Sequence, residues 1–291
     1  MKTLYKSMTV IFLSIVSAGL VLSCASSQPQ GTKKPVLLVV SFGTSFAESR
    51  AATIGGIENA ITKAYPDYEV RRAFTSQIII DHIKRDGGEK IDNVSEAIKR
   101  LRKDGVKEVV VQPTHIMSGI EYNELVDTFK AQEKYFTSVK FGKPLLSSDA
   151  DYNRLVTVLT DVTKEYSDGN TAIVFMGHGT EHSANETYTR LANLIKQKGI
   201  TNYYIGTVEA APSLDDVIND ISKTKVKKVL LQPLMIVAGD HANNDMAGDE
   251  DDSWKTIITG KGYSVSAVLK GLGQFPEVQA MFVEHAGAVI R

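Results

Sequence analysis

Six histidines occur in this 291-residue chain, His82, His115, His178, His182, His241 and His285, and their positions tell them apart. His178 stands in Phe175-Met176-Gly177-His178-Gly179-Thr180, just past an apolar run that reads as a strand. The flanking glycines allow a sharp backbone turn and leave the imidazole open to a bulky ligand. His241 follows a strand and turn that end in Val237-Ala238-Gly239-Asp240, and Glu209 follows the strand that begins at Tyr203. The spacings are 31 and 32 residues, about one strand-plus-helix unit each. In open α/β sheets, ligands bind beyond the carboxyl ends of the strands, where loops converge. Two neutral imidazoles and a carboxylate on one such rim suit a borderline divalent cation such as Co²⁺, Ni²⁺, Fe²⁺ or Zn²⁺. Three protein ligands also leave coordination positions free for a substrate. Taken singly, each residue reads more readily as a helix cap or a lysine partner. Their shared position is what favours the metal.

His115 follows the corresponding strand of the first half of the chain and has two readings. It is either a proton acceptor or substrate contact facing the second half across a cleft, or a histidine satisfied by a nearby carbonyl. His82, within Ile78-Ile79-Ile80-Asp81-His82-Ile83, and His285 near the C-terminus read as packed helix residues, and His182 as a group supporting His178. An acidic cluster, Asp245, Asp249, Glu250, Asp251 and Asp252, follows His241. It reads as a solvated loop or, more pointedly, as a field that draws cations in. No complete glycine-rich phosphate loop, Gly-x-Ser-x-Gly turn or Cys/His nucleophile pair occurs, which removes those reaction classes.

The elements that must hold these residues follow from composition and pattern. Hydrophobic residues make up 43% of the chain and charged ones 23%, which excludes disorder and low complexity. With 33 basic against 34 acidic side chains there is no footprint for nucleic acid. A single cysteine excludes an internal disulfide and a cysteine-based zinc site. From Pro35 onward, short β-branched runs alternate with longer amphipathic stretches, the pattern of parallel sheets flanked by helices. Strands are predicted at Val36 to Val40, Glu69 to Ala73, Glu108 to Gln112 and Val139 to Phe141, then at Ala172 to Met176, Tyr203 to Thr207, Val226 to Gln232 and Ser264 to Val268. Helices are predicted at Ala47 to Ala64, Asn93 to Lys103, Asn185 to Lys198 and Leu214 to Lys223.

Val106 to Gly119 echoes Val226 to Gly239 at a constant offset of 120 positions, and Ser41-Phe42-Gly43-Thr44 echoes Gly177-His178-Gly179-Thr180. Duplication is the simplest explanation. The expected fold is therefore α/β with two similar lobes, each a mostly parallel sheet flanked by helices, and a cleft between them. Residues 35–148 form the N-terminal lobe and 149–291 the C-terminal lobe with the metal site, the last helix packing back on the first lobe.

The start of the chain reads differently. Lys2 and Lys6 precede an uncharged apolar run from Met8 to Leu22, so residues 1–23 are expected to be a signal peptide. Val21-Leu22-Ser23-Cys24 resembles the bacterial lipobox, in which the cysteine is lipidated. A plain secretory signal or anchor with an incidental cysteine is the alternative. Residues 24–34 suit a flexible tether. The expectation is an exported protein, periplasmic or on the outer surface, that touches the membrane only through lipid on Cys24.

The stretch Gln232-Pro233-Leu234-Met235-Ile236-Val237-Ala238-Gly239-Asp240-His241-Ala242-Asn243-Asn244-Asp245-Met246-Ala247-Gly248, with Asp252-Ser253-Trp254-Lys255, resembles the anaerobic sirohydrochlorin cobalt chelatases, class II tetrapyrrole chelatases. So do Phe175 to Gly179, Val208-Glu209, Arg72 to Ser76, Leu38 to Ser45 and Ala280-Met281-Phe282-Val283. The resemblance implies a bilobal fold that holds a tetrapyrrole in its cleft, with His178, Glu209 and His241 as metal ligands and His178 also accepting a proton. It implies insertion of Co²⁺ into sirohydrochlorin, with related enzymes handling Ni²⁺ or Fe²⁺. The substrate's carboxylates would need cationic or amide donors, for which Arg72 and the helix start after Gly43, with Thr44 and Ser45, are the candidates. An exported haem-, tetrapyrrole- or metal-binding lipoprotein without turnover is the competing class, although nothing in the sequence itself indicates haem. No nucleic-acid partner is expected, and a homo-oligomer is compatible with the sequence.

Overall fold

Valine- and leucine-rich runs buried on both faces become the central strands of two sheets in a computed structural model that describes residues 34–290. The expected signal peptide, Cys24 and most of the expected tether lie outside the described residues. In the first half the strands are β1 (Val36–Ser41), β2 (Glu69–Phe74), β3 (Glu108–Pro113) and β4 (Ser138–Phe141). The second half holds β5 (Thr171–Gly177), β6 (Tyr203–Thr207), β7 (Lys228–Pro233) and β8 (Ser264–Ala267). Every pairing is parallel, in the orders β2-β1-β3-β4 and β6-β5-β7-β8. The two sheets thus share one topology, as the internal echo requires. All of β1 and β5 is buried, whereas β4 and β8 are partly exposed edges, the division expected of parallel sheets covered by helices.

The flanking helices are α1 (Ala47–Ala52), α2 (Ile54–Ala64), α3 (Gln77–Arg85), α4 (Val94–Lys103), α5 (Ile120–Lys130), α6 (Asp149–Val162), α7 (Glu186–Gln197), α8 (Leu214–Ser222), α9 (Trp254–Gly260) and α10 (Pro276–Ile290). Their starts are encoded locally. Asn93 with Glu96 and Ser213 with Asp216 form reciprocal caps on α4 and α8, and Ser148 caps α6.

The stretch Ala47 to Ala64, expected as one helix, is interrupted at Thr53. That residue is fully buried, both its amide and its hydroxyl donate to the Ser49 carbonyl, and its φ of −97° and ψ of −74° depart from helical values. Gly55 and Gly56 follow and add little helix propensity. Gly56 lies close to α10, and a Cβ there would lie 2.6 Å from the end of the Gln279 side chain, which would have to shift.

α10 lies against α2 and β3, and Tyr65 donates to the Val283 carbonyl at 2.7 Å. One buried cluster accordingly runs through both halves. It joins Leu37, Val39, Ile57 and Val110 to Leu155, Leu159, Ile173, Phe175 and Leu230 by way of Met281 and Phe282. The two sheets are therefore braced by a common core.

Candidate metal centre

His178 is the first residue beyond β5, and Glu209 stands two beyond β6. The sheet ladder continues past the strand ends: the Val208 amide donates to the Gly177 carbonyl at 3.1 Å and the Glu209 amide to the His178 carbonyl at 2.9 Å. The backbone of each residue thus fixes the other. Gly179 adopts φ +88°, the left-handed region that glycine tolerates, and this turns the chain away directly after His178. Beneath the turn lies Tyr188 of α7, its hydroxyl 3.5 Å from the Gly179 amide and its ring in the space a Cβ on Gly177 would occupy.

His241 reaches the same point from farther along the chain. After β7 the loop is tied to the first half of the molecule, since the Ala238 amide donates to Ser49 Oγ at 3.0 Å and Gly239 packs against Thr44. The chain then enters a single π-helical turn, Ala242–Met246, with His241 at its start. The result brings one ligand atom each from His178, Glu209 and His241 within 4.8 Å of one another. The imidazoles meet edge to face with ring centroids 4.7 Å apart. His178 Nδ1 lies 2.7 Å from the Gly179 carbonyl and 3.6 Å from Glu209 Oε2, and His241 Nδ1 lies 2.6 Å from Asp245 Oδ2. A carbonyl and a carboxylate are acceptors, so Nδ1 is the donor in each contact, and in a neutral ring Nε2 is then the nitrogen left to bind a cation. All three side chains are partly exposed, which leaves a bound cation open to a second molecule.

The other sequence candidates are not brought to this point in the same way. Arg72 lies in β2 opposite Val39, and its guanidinium is held by Glu58 at 2.6 Å and Glu89 at 2.7 Å. These carboxylates raise its pKa and occupy its donors. Thr44 is buried, and its hydroxyl accepts from the Phe46 amide at 3.3 Å, so it supports the His241 loop. Ser45 is half-buried at the entry to α1, a helix of only six residues. His182 caps the turn after it, accepting from the Ala184 amide at 3.0 Å. His285 bridges Asp151 at 3.1 Å and the Lys143 carbonyl at 3.2 Å.

His115 is half-buried as a residue, yet both ring nitrogens are shut off from water and neither has a protein partner. Burial lowers its pKa to about 4, against a weaker opposing pull from Glu121. The imidazole is therefore neutral near pH 7. In the unfolded chain the ring protonates near 6.5, but in the folded protein only near 4. Its contribution to stability is complete above pH 6.5 and is lost as pH falls from there to 4, a difference of about 3 kcal/mol. Urea unfolding across that window should show wild type losing about that much more stability than His115→Gln. Equal slopes would mean that the ring is hydrated in the folded protein.

Sequence reasoning passed over two features of the centre. In the sequence Asp245 reads as one acid of a solvated loop or a cation-drawing cluster, although its i,i+4 spacing from His241 places it within reach on a helical turn. The Ser49 link between the halves carried no sequence signal, because a serine within a polar helix start is unremarkable until its partner is known.

The chain is similar to known proteins over most of its length. A family model described as Cobalt chelatase (CbiK) matches residues 35–291. The sirohydrochlorin cobaltochelatase of Salmonella typhimurium is 38% identical over 252 residues, covering 87% of this chain and 95% of that protein. The sirohydrochlorin cobaltochelatase CbiKC of Nitratidesulfovibrio vulgaris is 31% identical over 261 residues, covering 89% and 91%. Among solved structures, SirB from Bacillus subtilis with Fe³⁺ superposes with a TM-score of 0.58 at 14% identity, covering 87% of this chain and 94% of that one, a likeness of fold. A match from the first strand to the C-terminus, with relatives alike over nearly their whole length, means that the chain belongs to the cobalt chelatase (CbiK) family.

Proposed function

We propose that this protein inserts Co²⁺ into sirohydrochlorin, and that His178, Glu209 and His241 hold the incoming ion. One observation carries the ligand assignment: donors from three strand ends converge within 4.8 Å in a member of the cobalt chelatase family. The names of the curated relatives favour turnover over a carrier role.

Metal insertion must strip ligands from a hydrated dication and remove two protons from pyrrolic nitrogens. Two imidazoles and a carboxylate replace part of the hydration shell while leaving positions open on the exposed side of the centre. The pyrrolic nitrogens then displace protein ligands one at a time. Holding ion and ring together turns an encounter between dilute reactants into a local exchange. Glu209 offsets part of the ion's charge. His178, once released, takes up one pyrrolic proton, a task for which imidazole suits neutral pH, and the second passes to solvent water at the exposed side of the centre. Arg72 is committed to Glu58 and Glu89, which argues against its taking a peripheral carboxylate of the macrocycle.

Anaerobic incubation of the purified protein with sirohydrochlorin and Co²⁺, Ni²⁺ or Fe²⁺, followed by absorbance, tests this function. Fastest conversion with Co²⁺ is expected. Conversion with none of the three metals, together with tight binding of a metallated tetrapyrrole, would establish the carrier instead.

A further inference from the structure

The two imidazoles of the centre have different backing. His178 Nδ1 is hydrogen-bonded to a neutral carbonyl, Gly179 O, at 2.7 Å, with the Glu209 carboxylate, itself one of the three ligands, farther off at 3.6 Å, whereas His241 Nδ1 is hydrogen-bonded to the Asp245 carboxylate at 2.6 Å. A carboxylate on the far nitrogen fixes the tautomer, orients the ring and makes the metal-facing nitrogen a stronger donor than a carbonyl does. The contact is built into the chain. His241 opens a π turn that returns Asp245 to it, and side-chain bonds from Asn243 to the Gly239 carbonyl at 2.7 Å and from Asn244 to Asp240 at 2.8 Å hold that turn. Just past the turn, the Gly248 amide donates to the Asn244 carbonyl at 3.0 Å, and a Cβ on Gly248 would overlap that carbonyl. Asp249, by contrast, is taken by Lys255 at 2.6 Å.

We propose that Asp245 is a positioning residue that makes His241 the anchoring ligand of the substrate cation, so that the ion leaves His178 first and His241 last. The inference rests on the ligand assignment above and gives the exchange an order. The coordinate bond from His178 Nε2 breaks as the first bond to a pyrrolic nitrogen forms, and the freed lone pair takes that pyrrole's proton. His241 keeps the ion in register until the macrocycle has closed around it.

Titration of the full chain with Co²⁺, read from the visible absorption of the bound ion, tests the proposal. Asp245→Ala should bind Co²⁺ about 10- to 100-fold more weakly than wild type. Asp245→Asn should fall between them, because its amide oxygen still accepts the Nδ1 proton but carries no charge. His241→Ala should cost more affinity than His178→Ala. In turnover, Asp245→Asn should raise the KM for Co²⁺ without lowering kcat, a split that general loss of structure does not give. Affinity within twofold of wild type in Asp245→Ala, alongside lost binding in His241→Ala, would overturn the proposal while leaving the ligand assignment in place. So would a larger loss in His178→Ala than in His241→Ala. Unchanged affinity in His241→Ala would instead bring down the ligand assignment, and this inference with it.

Discussion

Glu209→Gln should insert Co²⁺ at least about 100-fold more slowly than wild type, equivalent to roughly 2.7 kcal/mol of barrier, while folding and macrocycle binding stay normal. The substitution keeps the shape of the side chain and replaces an anionic oxygen donor with a neutral one. A dication held by two neutral imidazoles then lacks its only charged ligand among the three. The fold has little reason to respond. Glu209 is 54% exposed along its side chain, and its position is fixed by its backbone amide on the His178 carbonyl, which the substitution leaves alone. Thermal midpoint, sirohydrochlorin affinity and insertion rate measured on one preparation separate these effects. Insertion at the wild-type rate with normal macrocycle binding would remove Glu209 from the centre.

Gly179→Ala should damage the same centre from the backbone. At φ +88° an L side chain is strained, and the added Cβ would lie 2.8 Å from the Ala210 amide nitrogen, next to Glu209 in the chain. Relief requires moving either the His178 turn or the Glu209 loop, and the short ligand distances survive neither movement. The expected result is a stability loss of about 1–3 kcal/mol together with Co²⁺ affinity reduced by about 10-fold or more. Gly262→Ala is the control, since Gly262 has φ +91° but nothing within 4 Å of an added Cβ. It should show the strain without the loss of metal. Wild-type Co²⁺ affinity in Gly179→Ala would mean that the Glu209 loop yields without disturbing the ligands.

The two halves share one topology but not one chemistry, and the reason is visible residue by residue. The offset that aligns Val106 to Gly119 with Val226 to Gly239 places Glu121 opposite His241. The registers of β1 with β2 and of β5 with β6 place Phe42 opposite His178 and Ser76 opposite Glu209. An aromatic ring, a hydroxyl and a carboxylate make a poor set for a borderline cation, so the first sheet retains the scaffold without the donors. Its corresponding loop serves the centre another way, through the Ser49 and Thr44 contacts that hold the His241 segment.

Much of this was open to inspection in the amino-acid order. Strands buried on both faces must be runs of β-branched and aliphatic residues, and that requirement is local, so all eight strands of the described residues lie within about two residues of where their composition puts them. Helix caps are equally local. The presence of His178, Glu209 and His241 at three successive strand ends also follows from counting, because parallel sheets repeat strand and helix at a nearly constant length. Linear order could not decide which helix ends early, which glycine admits a neighbour, or which polar group is already taken. The helix expected from Ala47 to Ala64 is interrupted at the buried Thr53, and Arg72 looks free until Glu58 and Glu89 are seen beside it. Asp245 is one acid of five until a π turn aims it at an imidazole. Such matters depend on atoms distant in the chain meeting at fixed distances. Hydrogen bonds and coordination fall off within a fraction of an ångström, so only the packed tertiary structure settles them.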